Sequence, residues 1–461
     1  YGYRYAKVTC LHQLTLDSFV GVAYYSDVHP VSTMVTGDEK LNQLLSNIRW
    51  GQKSNFVDVP TDCPQRDERM GWTGDTQVFA ATACYLTDAC AFYEKYLYDM
   101  QKEQNKRGGC VPDTIPAFYM RGGCCVWGDA ATILPWTLYL FYGDVNILRT
   151  ALPSMRAWVD YIAAVDGDTH HWRKVFHFGD WLALDHPSGR ADEVRGGTDE
   201  GFIADAYYYN SARLVAKAAA VLGDAATEAA YQKRAERILS DLQQEYFTPT
   251  GRCAVDTQTA QILTLYFGLT NQPEKAHQEL MRLLHLRGDK LSTGFVGTPL
   301  LCRVLSQVGE DKMAYHLLHN EEYPGWLYEV NLGATTIWER WNSLSPDGSV
   351  SSTGMNSFNH YAYGAIGEWM WRTMAGINPC EEQPGFKRVV LRPVSDAAVK
   401  HVTAAYHSPA GCYRVSWRME EAGICRFHIE IPFDCTADLM LPGQKPMELE
   451  CGQYDFACAV G

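Results

Sequence analysis

Between residues 62 and 75 the chain crowds together four carboxylates (Asp62, Asp67, Glu68, Asp75), two arginines (Arg66, Arg69) and Trp72, pinned by Pro64, Gly71 and Gly74. Neighbouring carboxylates oppose one another's ionisation, so at least one of them is expected to keep its proton to a higher pH. A carboxyl that stays protonated near neutrality can act as a general acid. Arg66 and Arg69 would hold their neighbours ionised and so divide the roles. The same residues would equally make an ion-pair network that only pins a loop, because such networks also perturb pKa values. A second dense stretch, Gly333 to Trp341, sets Glu339 between Trp338 and Arg340-Trp341, an aromatic wall where water is scarce. Glu339 there is either a general base acting on a water or the partner of Arg340. Two carboxylates from distant segments are what glycoside hydrolysis uses: one protonates the leaving oxygen, the other activates water or attacks carbon.

These residues need a scaffold, and the hydrophobic periodicity describes one. From about residue 34 to 376 apolar residues recur at helical spacing. Leu41, Leu44, Leu45 and Ile48 follow Asp38, a cap candidate. Further helices are expected over 75–87, 89–104, 127–142, 145–164, 202–222, 225–247, 257–268, 272–286, 298–308, 311–319 and 357–374. In the 225–247 segment Tyr231, Ala235, Ile238, Leu242 and Tyr246 form one stripe, whereas 127–142 is apolar nearly all round. About twelve helices in six hairpin-like pairs would close into an (α/α)6 toroid, with apolar helices inside and amphipathic ones outside. The loops 54–75, 105–127, 166–201 and 322–356 are long and rich in Trp, Asp, Gly and Glu, which marks one rim as the place where binding residues gather.

The two ends differ from this middle. Tyr1 to Val8 alternates like a half-buried strand, and residues 1–33 read as the last strand and linker of an upstream β-domain. Residues 377–461 carry short strand patterns punctuated by turn residues, the signature of a small antiparallel β-sandwich. The fold expectation is therefore mainly α, with a terminal strand and linker over 1–33, the barrel over 34–376 and the sandwich after it.

The motifs also resemble a known family. Asp62-Cys63-Pro64-Gln65-Arg66-Asp67-Glu68-Arg69, running on through Gly71-Trp72-Thr73-Gly74-Asp75, is followed by Gly333-Ala-Thr-Thr-Ile-Trp-Glu-Arg-Trp341 and by Phe358-Asn359-His360-Tyr361. In order and spacing these closely resemble bacterial α-L-rhamnosidases of glycoside hydrolase family 78, over nearly the whole chain. The resemblance implies an inverting exo-hydrolase for terminal α-L-rhamnose, with no cofactor or metal. It matches Glu68 to the general acid and Glu339 to the general base. It matches Asp62, Asp75 and His360 to hydroxyl-binding groups, and Trp72, Trp127 and Trp181 to an aromatic lining; Arg66 and Trp338 complete the expected substrate-binding set. Asp129 and Asp180 would either touch substrate or only orient loops, and Cys63 reads as packing.

Bulk properties narrow the partners. A formal net charge of −14 and a pI near 5.5 leave no basic surface for a phosphate backbone, which argues against nucleic acid and against an anionic membrane surface. No run of about 18 apolar residues suggests a membrane span. The 15 cysteines show no Cys-x-x-Cys pairing and read as small hydrophobes in a reducing compartment, which favours the cytoplasm.

Overall fold

The structure, a computed structural model, describes residues 5–118, 122–167, 169–190, 193–351 and 355–460. Residues 1–4 of the expected N-terminal strand lie outside that set, and 5–8 form no regular element. The first strand is instead β1 (Ser32–Thr36), followed by α1 (Glu39–Asn55), whose N-terminus is capped as the sequence suggests: the Asp38 carboxylate accepts from the Lys40 and Leu41 amides. A two-residue ladder, β2 (Phe56–Val57) with β3 (Val59–Pro60), leads into the charged loop. Then come α2 (Thr73–Leu86), α3 (Cys90–Asn105), α4 (Ala130–Tyr142), α5 (Val145–Asp166), α6 (Glu200–Leu222) and α7 (Ala225–Tyr246). They are followed by α8 (Gln258–Phe267), α9 (Pro273–Leu286), α10 (Thr298–Gln307), α11 (Asp311–His319), α12 (Trp326–Asn331) and α13 (Ile366–Trp369), the last flanked by a 3-10 turn and a π turn.

Alternate helices form a closed inner ring: α2 packs on α4, α4 on α6, α6 on α8, α8 on α10, α10 on α13 and α13 on α2. Their sequences explain the position. α2 and α6 bury residues on nearly every face, down to Thr76, Thr82, Asn210 and Ser211. The outer helices bury one stripe. In α7 it is Thr227, Tyr231, Ala235, Ile238, Leu242 and Tyr246, five of them legible in the periodicity, and a fully buried Ile or Leu there contributes roughly 1.5–3 kcal/mol. Five pairs are consecutive in sequence, but the sixth joins the chain's first helix to its last: Ile48 of α1 packs under Gly364 and Gly367. This is the six-hairpin toroid. The short α12 escaped the periodicity because a six-residue helix with four consecutive buried positions carries no amphipathic signal.

The C-terminal region has two sheets built from β4 (Ile377–Pro379), β5 (Arg388–Leu391), β6 (His401–Ser408), β7 (Gly411–Met419), β8 (Ile424–Ile431), β9 (Thr436–Leu439), β10 (Met447–Leu449) and β11 (Gly452–Ala459). One runs β1-β6-β7-β8-β11, antiparallel throughout; the other runs β10-β9-β5-β4. Two features depart from expectation. The β5–β9 pair is parallel, so the second sheet is not purely antiparallel. And β1 pairs with β6, Ser32 opposite Tyr406, so a boundary at residue 33 falls inside a strand of the C-terminal sheet. The sheets are fastened to the barrel by buried bonds: Trp417 Nε1 donates to the Met374 carbonyl at 2.7 Å and the Tyr85 hydroxyl to the Ile377 carbonyl at 2.7 Å. No helix among the described residues is long and apolar enough to cross a membrane.

Candidate active site

The pocket opens where the inner helices begin. Asp75 stands in the first turn of α2, Trp127 precedes α4 and Phe295 precedes α10. Unsatisfied N–H groups at helix starts favour nearby carboxylates, so the scaffold itself favours negative charge here. The cavity is lined by Asp62, Arg66, Glu68, Trp72, Asp75, Trp127, Phe178, Trp181, Phe295, Glu339, Met355 and His360.

The charged loop closes on itself. The Asp62 amide donates to the Met70 carbonyl at 3.0 Å, and Asp62 Oδ1 accepts the Met70 amide at 2.8 Å. The next residues are stitched to 113–115: Thr73 N–H to the Asp113 carbonyl and Ile115 N–H to the Gly71 carbonyl. That pairing requires glycine, because a Cβ on Gly71 would lie 2.3 Å from the Ile115 oxygen. Gly74 is needed for a different reason: its missing side chain leaves room for the Trp127 indole, 2.5 Å from where a Cβ would stand.

Arg66 is the centre of the charge array. Its Nε donates to Glu68 Oε2 at 2.8 Å, and its Nη1 and Nη2 grip the two oxygens of Glu339 at 2.5 and 3.0 Å. Nη2 also lies 2.6 Å from Glu68 Oε2 and 3.4 Å from Asp62 Oδ2. Every nitrogen of the expected substrate-binding Arg66 is thus engaged by a carboxylate, and the guanidinium holds the carboxylates in place. Charge-assisted bonds of this kind are about twice as strong as neutral ones. Glu68 keeps its other oxygen for Trp72, whose indole N–H donates to Oε1 at 3.0 Å.

Glu339 arrives from the opposite side. Its amide donates to the Ser357 carbonyl at 2.9 Å and the His360 amide to the Ile337 carbonyl at 2.8 Å, which sets His360 beside it. His360 Nε2 lies 3.2 Å from Asp75 Oδ2, while Nδ1 accepts the Ala362 amide at 3.2 Å. Burial pulls the imidazole pKa down, but the hydrogen bond and charge of Asp75, with Glu339 and Asp62 beyond, raise it overall. The Ala362 N–H opposes a proton on Nδ1, so these contacts describe the neutral ring with its hydrogen on Nε2, donating to Asp75. Asp62 is pushed up to about 6, first by burial and then by the charge of Glu68.

The apolar wall is larger than the sequence suggests. Phe178 is its hub, 4.5 Å from Trp127, 5.3 Å from Trp181 and 5.9 Å from Trp72 between ring centroids. Phe178, Phe295 and Met355 carry no local signal; Phe178 lies three residues before Trp181, but a phenylalanine in an aromatic-rich chain does not stand out. Trp338 is the one expected site residue that the structure leaves out of the pocket. It packs against Tyr328, Ala334 and Phe358, while its amide donates to Glu329 Oε2 at 3.2 Å.

Asp129 and Asp180 resolve as loop anchors. Asp129 accepts from the Val126 amide, the Trp158 indole and the Ser211 hydroxyl. Asp180 accepts the Gly294, Val296 and Gly297 amides and the Thr259 hydroxyl, tying the loop of Trp181 to that of Phe295. Burial raises its pKa to about 6 despite those donors. Among the described residues, two clusters have metal-like spacing. Asp62, Cys63 and Glu68 bring ligand atoms within 4.8 Å of one another, but burial pushes the Cys63 thiol far up and Arg66 already supplies the positive charge. In Cys124, Cys125 and His177 both imidazole nitrogens are engaged, with the Cys125 amide and the Trp172 carbonyl.

Comparison with known proteins agrees with this architecture. Residues 29–374 match the bacterial alpha-L-rhamnosidase 6 hairpin glycosidase domain, and residues 376–453 match the bacterial alpha-L-rhamnosidase C-terminal domain. An alpha-L-rhamnosidase of Formosa agariphila is 37% identical over 467 aligned residues, covering 99% of this chain and 49% of that protein. Among solved structures, the Streptomyces avermitilis alpha-L-rhamnosidase complexed with L-rhamnose superposes with a TM-score of 0.87 at 36% identity, over 94% of this chain and 43% of the other. The Aspergillus terreus alpha-L-rhamnosidase gives 0.89 at 31% identity, over 94% and 50%. The chain spans about half the length of the curated relatives it matches. With its six-hairpin barrel and C-terminal sheets both accounted for, this chain belongs to the bacterial α-L-rhamnosidase family.

Proposed function

We propose that the chain hydrolyses terminal α-L-rhamnosides as an inverting exo-glycosidase, with Glu68 as general acid and Glu339 as general base. The observation that carries this reading is the convergence of Glu68 and Glu339, from segments far apart in sequence, on one guanidinium inside an aromatic-walled pocket. L-Rhamnose is a 6-deoxy sugar: its methyl and ring C–H groups suit the wall of Trp72, Trp127, Trp181 and Phe178. Its three free hydroxyls need partners, which Asp62, Asp75 and His360 supply. A hydroxyl placed wrongly would leave one of these buried groups unpaired, at a cost of about 1–3 kcal/mol. Among the described residues Glu68 Oε1 accepts from Trp72 alone, so it is the oxygen with a position left to carry the transferred proton.

One distance favours a rival stereochemistry. Glu68 Oε2 and Glu339 Oε1 both touch Arg66 Nη2, at 2.6 and 3.0 Å, so these two oxygens are closer than the roughly 6.5–9.5 Å that admits a water between an inverting pair. Retention, with Glu339 attacking carbon, uses a closer pair. Arg66, which donates to both oxygens of Glu339, restrains attack on carbon and proton abstraction from water alike. Inversion on this framework requires the entering sugar to turn Glu68 away from Arg66 and make room for water. The test is turnover of an aryl α-L-rhamnoside with the first-formed anomer followed by NMR. β-Rhamnose as the initial product supports the proposal; α-rhamnose overturns inversion, and no turnover by the folded chain overturns the activity.

A further inference from the structure

Beneath the sugar pocket, towards the C-terminal ends of the inner helices, the toroid encloses a second cavity that the proposed reaction does not use. The partition is thin: Phe295 faces the sugar pocket while Val296 lines the lower cavity, and on α2 Asp75 faces one while Val78 lines the other. In a chain whose net charge is −14, the lower cavity is basic. Arg213, Lys217, Arg303 and Arg372 line it against the two carboxylates Glu368 and Glu381.

Pairing within the cavity leaves positive charge over. Arg303 and Arg372 converge on the same oxygen of Glu368, at 2.8 and 2.6 Å, so one carboxylate serves two guanidiniums. Lys217 pairs with Glu381. Arg213 has no carboxylate among the described residues: its Nη2 donates to the amide oxygen of Asn210 at 2.9 Å, and its Nε is buried with no hydrogen-bond partner. Across the cavity Gln77, only 8% exposed, has a buried side-chain nitrogen whose nearest acceptor is the Tyr207 hydroxyl, with no hydrogen bond of full geometry. Buried donors without acceptors are uncommon, because each forfeits the hydrogen bond it made to water.

An acceptor-only anion supplies what such donors lack, and a guanidinium edge matches the paired oxygens of a carboxylate, phosphate or sulfate. We infer that the lower cavity of the toroid is a binding site for a small oxyanion, held by Arg213 and Gln77 with Arg303 supplying further charge. The occupant is either an inorganic oxyanion or the carboxylate of a small acid, since both present the same oxygens. It is separate from the sugar pocket, and its binding ties α2, α6 and α10 together across the barrel.

The test is thermal unfolding and titration calorimetry of the whole chain with inorganic phosphate, sulfate or acetate, against sodium chloride at equal ionic strength. A saturable rise in Tm with at least one oxyanion is expected, growing with concentration as binding to the native state requires. Response to acetate alone identifies a carboxylate ligand; response to phosphate or sulfate identifies an inorganic one. Arg213→Gln should weaken the binding at least tenfold, and Gln77→Leu about three- to tenfold, so that if one variant fails to fold the other still decides. No saturable rise beyond that in chloride with any of the three anions overturns the inference. So does a rise of undiminished affinity in a folded variant.

Discussion

The two carboxylates of the pocket are held in contrasting ways. Glu68 is held by its own neighbourhood: Arg66 two residues before it and Trp72 four residues after it occupy its oxygens, and a quarter of its side chain is exposed. Glu339 is held from afar. Its amide is fixed by Ser357, its oxygens by Arg66 some 273 residues away in sequence, and its side chain is 3% exposed. A group on a short-range, partly open mount can swing, and a proton donor that follows a leaving oxygen needs that freedom. A group locked by long-range contacts keeps its position, as a base that aims a water must. On the proposed reading, the acid sits on the adjustable mount and the base on the rigid one.

The largest effect should come from the rigid side. Glu339→Gln is expected to lower kcat by about 10⁴-fold on every rhamnoside, the upper end for loss of a general base; a loss confined to poor leaving groups would reverse the two roles. Glu68→Gln should cost about 10²–10³-fold on a natural glycoside but under about tenfold on an aryl rhamnoside whose leaving group needs little protonation. Equal losses on both substrates would show that Glu68 is not the acid.

A smaller effect concerns the ground beneath the pair. Asp62 sits at about 6 in the folded chain against an ordinary 3.8, so the folded state binds its proton more tightly than the unfolded chain does. Its contribution to stability is therefore complete below about pH 4 and is lost as pH rises through about 6, by at most about 3 kcal/mol. Asp62→Asn should flatten that part of the stability curve, read as the difference between the two proteins in urea midpoints from pH 4 to 7. An unchanged slope would place the proton elsewhere. The smallest expected change is Trp72→Phe, which removes the indole N–H from Glu68 Oε1 and keeps a ring beside Phe178: a loss of about 1 kcal/mol, or three- to tenfold in kcat, should appear with little change in Tm.

The same contrast governs what could be read in advance. The charged loop announces itself because its partners are local: Asp62 with Arg66 and Met70, and Glu68 with Arg66 and Trp72, all lie within eight residues. Phe178, Phe295 and Met355 were silent because their role depends only on where three loops meet. Trp338 misled for the same reason: adjacency to Glu339 says nothing about which of the two neighbours turns inward. In the C-terminal region β7 and β8 are legible from alternation, while β11 alternates exposed with only half-covered positions and buries Cys458 alone, a weaker signal.

By itself, then, the sequence determined the helix periodicities, that the 127–142 helix would be buried nearly all round, and the residues of the charged loop, because each depends on spacings of a few residues along the chain. Only the tertiary structure decided that α1 pairs with the last helical segment and that β1 belongs to the C-terminal sheet. It also decided that Arg66 spans both carboxylates and that four cations face two carboxylates below the sugar pocket. Those are relations between segments hundreds of residues apart, brought together when the ring closes and its apolar faces are buried, and no local pattern encodes them.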